Sequence, residues 1–214
     1  MAYVCLGSNL PPPKVRADAP GGDPADNLAR AVAALAALPG VVVGAVSSVY
    51  RTEPQGYRDQ PWFANQVARL ECDPDMTPEG LLDRLLAVER TLGRRRAYDP
   101  ARETADAASG GVGEAAACGS DGGHACAEQG ERGAGPDLAV RYAPRTIDID
   151  LLLFGDAVRD TPRLTLPHPR MRERAFVLVP LHEIAPELAF PDGQSLIHAL
   201  KSLTFTLHNG CIGQ

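Results

Sequence analysis

Residues 145–154 read RTIDIDLLLF. Side chains along a β-strand point alternately to its two sides. The run therefore predicts a strand with Ile147, Ile149, Leu151 and Leu153 on a buried side and Asp148 and Asp150 together on the other. The two carboxylates then stand ~6.6 Å apart along the chain, from a rise of roughly 3.3 Å per residue. Aspartate is depleted in strands, and like charges at neighbouring same-side positions repel each other. A divalent cation removes that penalty. Hard carboxylate oxygens suit Mg²⁺, phosphate oxygens complete its octahedron, and a pair of such ions is a recurrent clamp for phosphoryl transfer. The bland alternative is a solvated strand side that carries two aspartates by chance.

Working outward, residues 2–7 (AYVCLG) read as a buried strand and 11–25 as a loop. Asp26 is placed to cap a helix running to about Leu38, where Pro39-Gly40 stops it. Residues 41–51 are β-branched and strand-like, 54–61 form a loop, and 62–72 alternate as a strand. Thr77 opens a second helix with Leu81, Leu82, Leu85, Val88 and Leu92 at helical spacing, closed by Gly93. After the Asp148 strand come a hairpin over 157–166, a helix over 173–184 and a short helix near 194–203. The order βαββαβ plus a hairpin and helices predicts an α+β fold with a ferredoxin-like core, its helices on one side of the sheet.

Residues 97–140 differ in kind. They hold nine glycines, twelve alanines, eight acids and two bases. So polar and small a segment cannot bury enough surface to offset its ordering entropy. It is expected to be a disordered acidic insertion in a single domain spanning 1–214. The formal net charge of the chain is −6, and this segment accounts for all of it. The balance argues against nucleic acid as a partner. No run of 18 apolar residues exists to cross a membrane, and the start of the chain reads as a strand and not a secretory signal. Cys5, Cys72, Cys118, Cys126 and Cys211 are odd in number and unpatterned, which fits reduced thiols and a cytoplasmic location. Cys118, His124 and Cys126 match no common zinc spacing. A monomer acting on small molecules is the expected form.

Lysine occurs only at Lys14 and Lys201, so arginine must serve any phosphate. Arg94, Arg95 and Arg96 follow the second helix, Arg141 and Arg145 precede the Asp-x-Asp strand, and Arg163, Arg170, Arg172 and Arg174 surround His168. Carboxylates with arginines are the parts of a triphosphate site. Neither a P-loop nor a dinucleotide fingerprint is present. Gly7-Ser8-Asn9 reads only as a turn.

Five motifs occur in order: LGSN (6–9), SSVYRTEPQGYRDQPWFANQVARLE (47–71), E-x-x-x-G-R-x-R (89–96), PRTIDIDLLLFG (144–155) and LPHPRMRERAFVLVPLHEIAPEL (166–188). Together they resemble the 6-hydroxymethyl-7,8-dihydropterin pyrophosphokinase family of folate biosynthesis. The resemblance implies transfer of pyrophosphate from ATP, as co-substrate, to the pterin. It implies two Mg²⁺ ions on Asp148 and Asp150, with Arg94 and Arg145 assisting transfer. Arg96, Tyr142, Arg163, Thr165, His168 and Arg174 would hold ATP. Phe63 and Phe176 would sandwich the pterin, with Asn65 and the backbone near Thr52 reading its polar edge. Where the family has a short loop that closes over substrates, this chain carries the 97–140 segment, and Tyr142 stands where the family often has Trp. Two rival readings remain: a non-catalytic ligand-binding module in which the Asp pair is structural, and another metal-dependent phosphotransferase or nucleotidyltransferase.

Overall fold

A computed structural model describes residues 1–12, 22–54, 60–94 and 144–214. The segment 97–140, and with it the expectation of disorder, lies outside the described residues, as do Arg96 and Tyr142. Met1–Arg95 and Pro144–Gln214 form one compact unit.

The elements follow the sequence closely. β1 (Ala2–Ser8) leads to α1 (Pro24–Ala36), then β2 (Val41–Val46), β3 (Tyr50–Thr52), β4 (Phe63–Cys72), α2 (Pro78–Thr91) and β5 (Asp148–Phe154). A two-stranded hairpin, β6 (Arg159–Asp160) and β7 (Thr165–Leu166), comes next. After it stand a 3₁₀ turn at Met171–Glu173, α3 (Ala175–Ile184), α4 (Leu196–Lys201), β8 (Thr206–His208) and β9 (Cys211–Gly213). The main sheet runs β5-β1-β4-β3-β9-β8, with β2 also on β4. β3 and β9 are parallel and the remaining pairs antiparallel, so the architecture is α+β with a central mixed sheet.

Several boundaries shift for physical reasons. Asp23, not Asp26, caps α1: its carboxylate accepts from Ala25 N at 2.8 Å, while Asp26 accepts from Asp23 N at 2.9 Å. Pro24 lacks an N–H and so suits the first helical position. Thr77 does cap α2, accepting from Gly80 N at 3.0 Å, and Gly93 closes it at φ +91°. The predicted strand over 41–51 divides into β2 and β3, with a register shift between Val43 and Ala45.

The helices do not all lie on one side. Val4, Leu6, Ile149 and Leu151 pack with Leu28 and Leu35 of α1 and with Leu81 and Leu85 of α2. The opposite side is also apolar: Tyr3, Cys5 and Val67 pack with Leu178 and Leu181 of α3 and with Leu196 of α4. Such a surface must itself be covered, and α3 and α4 cover it. Leu153 belongs to this second core, not to the side of Ile149. A register shift on β1 between Tyr3 and Val4 leaves Leu152 as the extra residue, which moves Leu153 across.

Candidate active site

The strand register assembles the site. Asp148 lies opposite Gly7 on β1, Gly7 opposite Asn65 on β4, and Asn65 opposite Tyr50 on β3. Two residues along, Asp150 lies opposite Cys5, and Cys5 opposite Val67. Thr52 lies opposite Phe63. Opposed residues of an antiparallel pair share a side, so Asp148, Asp150, Asn65, Phe63 and Thr52 all occupy the side covered by α3. Gly7 lies between Asp148 and Asn65, and a Cβ there would come within 3.3 Å of Asn65 Oδ1. Asn65 Nδ2 in turn donates to Thr52 Oγ1 at 2.8 Å, and both residues are buried. The two residues expected to read a ligand's polar edge are thus joined.

Asp148 and Asp150 differ in surroundings. The Asp148 side chain is 16% exposed and pairs with both Arg94 and Arg145. Asp150, at 39% exposure, has Arg174 Nη1 at 3.9 Å. Among the described residues no cluster of three or more His, Cys, Asp or Glu could hold a metal. The donor set is therefore two hard carboxylates on one side of one strand. That fits Mg²⁺ of the kind that keeps waters and draws its other ligands from substrate phosphates. Arg94 and Arg145 both place charge against Asp148.

Glu89 is a residue whose part sequence reasoning missed. It sits near the end of α2, 1% exposed, and its Oε1 accepts from Ile149 N at 2.7 Å and from Arg94 Nη1 at 2.5 Å. Arg94 thus bridges Glu89 and Asp148. The motif E-x-x-x-G-R-x-R carried this signal, since Gly93 at positive φ turns the chain back so that Arg94 returns to Glu89. Ser8 and Asn9 do more than turn the chain. Ser8 Oγ donates to Thr146 O at 2.7 Å, and Asn9 Oδ1 accepts from Arg145 N at 2.7 Å. Asn9 N reaches Arg145 O at 3.2 Å. This network pins the backbone of Arg145 beside the end of β1.

On the other flank, His168 N donates to Leu152 O at 2.9 Å, tying the segment after β7 to β5. Burial pushes the His168 pKa down, helped by the Arg174 and Arg170 charges and opposed by Asp150. Arg174 is likewise lowered, first by burial and then by Arg170. Its Nε is buried without a hydrogen-bond partner among the described residues, and its guanidinium lies 5.5 Å from the centre of the Phe176 ring. An under-neutralised arginine with a spare donor suits a phosphate oxygen. Phe176, in the first turn of α3, and Phe63, at the start of β4, are both half-buried. Thr165 lies on β7, whereas Arg163 is turned to Asp83 of α2, both well exposed.

Known proteins resemble the chain over most of its length. The family model described as 7,8-dihydro-6-hydroxymethylpterin-pyrophosphokinase matches residues 3–106 and 124–186. The 2-amino-4-hydroxy-6-hydroxymethyldihydropteridine pyrophosphokinase of Methylorubrum extorquens is 39% identical over 202 residues, covering 94% of this chain and 92% of that protein. Its counterpart from Pseudomonas aeruginosa is 36% identical over 203 residues, covering 95% and 91%. The protein of that name from Bacillus subtilis is 33% identical over 188 residues, covering 88% and 80%. The chain belongs to the 7,8-dihydro-6-hydroxymethylpterin-pyrophosphokinase family.

Proposed function

We propose that this chain transfers the diphosphate group of ATP to the hydroxymethyl oxygen of 6-hydroxymethyl-7,8-dihydropterin, releasing AMP, in folate biosynthesis. The observation that carries the reading is the shared side of the sheet. Two carboxylates, arginines on both flanks, a joined Asn65–Thr52 pair and two half-buried phenylalanines belong to one region.

Asp148 and Asp150 would hold the Mg²⁺ ions, two in number, with the triphosphate supplying further ligands. Bound there, Mg²⁺ would neutralise phosphate charge and acidify the attacking hydroxyl. The residues of the chain supply the rest. Asn65 and the backbone near Thr52 fix the polar edge of the pterin, and Phe63 and Phe176 offer it flat apolar surfaces. Arg96, Tyr142, Arg163, Thr165, His168 and Arg174 hold ATP, the buried Nε of Arg174 being a ready donor. The hydroxymethyl oxygen loses its proton to solvent as it bonds to the β-phosphorus, the bond to the α,β-bridging oxygen breaks, and AMP leaves with that electron pair. Arg94 and Arg145 stabilise the charge that grows on the transferred and leaving oxygens. No covalent enzyme intermediate is needed, because positioning and charge stabilisation carry such a transfer.

The same reading includes a ferredoxin-like core, supported by the succession β1-α1-β2-β3-β4-α2-β5, in which β2 and β3 divide one expected strand, and by the strand order β5-β1-β4 with β2 and β3 beyond. It also includes a single-domain monomer that works in the cytoplasm; no helix among the described residues is long and apolar enough to cross a membrane. The test is to mix the protein with ATP, Mg²⁺ and the pterin and follow AMP and pterin diphosphate by chromatography. Equimolar formation of both products is expected. ADP in place of AMP, or AMP formed equally without pterin, would overturn the assignment.

A further inference from the structure

The segment after α4 lies beyond residue 186, where the family match ends, and the reaction above does not use it. Yet it is attached to the site at two points. β9 extends the main sheet by running parallel to β3, with Arg51 opposite Cys211 and Thr52 opposite Ile212. Arg51 N also donates to Gly210 O at 2.8 Å. Ile212 is buried against Ala175 and Val179 of α3, with Tyr50 and Phe176 packed around them. Then Gln214 reaches the first turn of α3: its Oε1 accepts from Ala175 N at 2.8 Å, and its Nε2 donates to Glu173 O at 2.6 Å.

These bonds fill a gap in the helix. The first N–H groups of any helix have no partner within it and normally receive one from the N-cap side chain. Arg174, the N-cap of α3, makes no such side-chain bond. Gln214 supplies the missing acceptor from 39 residues away in the chain. The segment therefore grips strand β3 at Thr52 with its backbone and the start of α3, beside Phe176, with a side chain.

We propose that the β8–β9 hairpin and Gln214 are a positioning element of the pterin subsite, setting the separation between Thr52 and the first turn of α3. This rests on the pterin-binding reading given above. A flat ligand held between an edge reader and an aromatic plate needs both at a fixed distance, and a loss of that registry weakens binding without removing any contacting group. Arg174 shares the turn but is one of several groups on the nucleotide, so the pterin feels the loss more.

The test compares wild type, Gln214→Met, which is close in shape but makes neither bond, and Gln214→Glu, which keeps an acceptor for Ala175 N–H. Affinities are measured calorimetrically for 6-hydroxymethyl-7,8-dihydropterin in the presence of Mg²⁺ and an unreactive ATP analogue, and for the Mg²⁺–analogue complex alone. Gln214→Met is expected to weaken the pterin about fivefold, the worth of one ordinary hydrogen bond, with a smaller effect on the nucleotide, and Gln214→Glu to recover most of the loss. Unchanged pterin affinity in Gln214→Met overturns the proposal, as does an equal weakening of both ligands. If wild type itself binds no pterin, the functional reading falls and this proposal with it.

Discussion

Glu89 holds two elements and one arginine with a single carboxylate. Because it is buried, removing it strands the Ile149 N–H and takes one carboxylate partner from the Arg94 guanidinium. Glu89→Ala should therefore cost about 3 kcal/mol of stability in urea unfolding and lower turnover as well. Glu89→Gln, which keeps an acceptor, should retain most of the stability but hold Arg94 less firmly. A fully stable and active Glu89→Ala would contradict the role. Gly7→Ala probes space: the added methyl presses on Asn65 Oδ1 at 3.3 Å, so pterin affinity should fall about tenfold with stability changed by less than about 1 kcal/mol. His168 gives a pH signature. Its folded pKa lies below the ordinary 6.5 because of burial. Above about 6.5 neither state is protonated and this group adds no pH dependence. As pH falls through that value the unfolded chain takes up a proton that the folded protein resists, so stability drops until the folded pKa is passed. Urea midpoints measured between about pH 5 and 7 should slope less in His168→Gln than in wild type. The Asp pair was legible because a period of two needs only neighbours in sequence. Glu89 was not legible, because a glutamate near the end of a helix looks like any solvated one until β5 arrives from 60 residues away.

At the scale of elements, periodicity found the helices and most of the strands, though not β8 and β9, and capping chemistry found Thr77 and Gly93. It chose Asp26 over Asp23 for α1, although the proline at the first helical position favoured Asp23. Asp23→Ala should cost about 1 kcal/mol, by thermal unfolding, and more than Asp26→Ala; the reverse order would contradict the capping assignment. The side of Leu153 could not be read, since the bulge at Leu152 shows only in the pairing of β5 with β1. The expectation of one-sided helices failed for a related reason. Tyr3, Cys5 and Val67 form a second apolar surface only once β1 and β4 are paired. The β8–β9 hairpin did carry a local signal that went unread: Asn209-Gly210, with φ of 47° and 74°, is the pair that a tight hairpin favours.

For the whole molecule, the strand register is what converts separate motifs into one site, and register is a long-range property. Between residues 3 and 186 the family match breaks only at 107–123, inside the segment expected to be an insertion. Excising 107–123 should leave Mg²⁺-dependent AMP formation within about threefold of wild type, because loop closure depends weakly on length; loss of turnover in a folded deletion would show the segment is required. The central claim is that Asp148 and Asp150 together hold the divalent cations that carry the nucleotide. It is tested most directly by titrating Mn²⁺, read by its electron paramagnetic resonance, into wild type and the Asp148→Asn, Asp150→Asn double variant with an unreactive ATP analogue. The account predicts tight protein-dependent Mn²⁺ binding in wild type and its loss in a folded double variant. Equal Mn²⁺ binding by both proteins would contradict it.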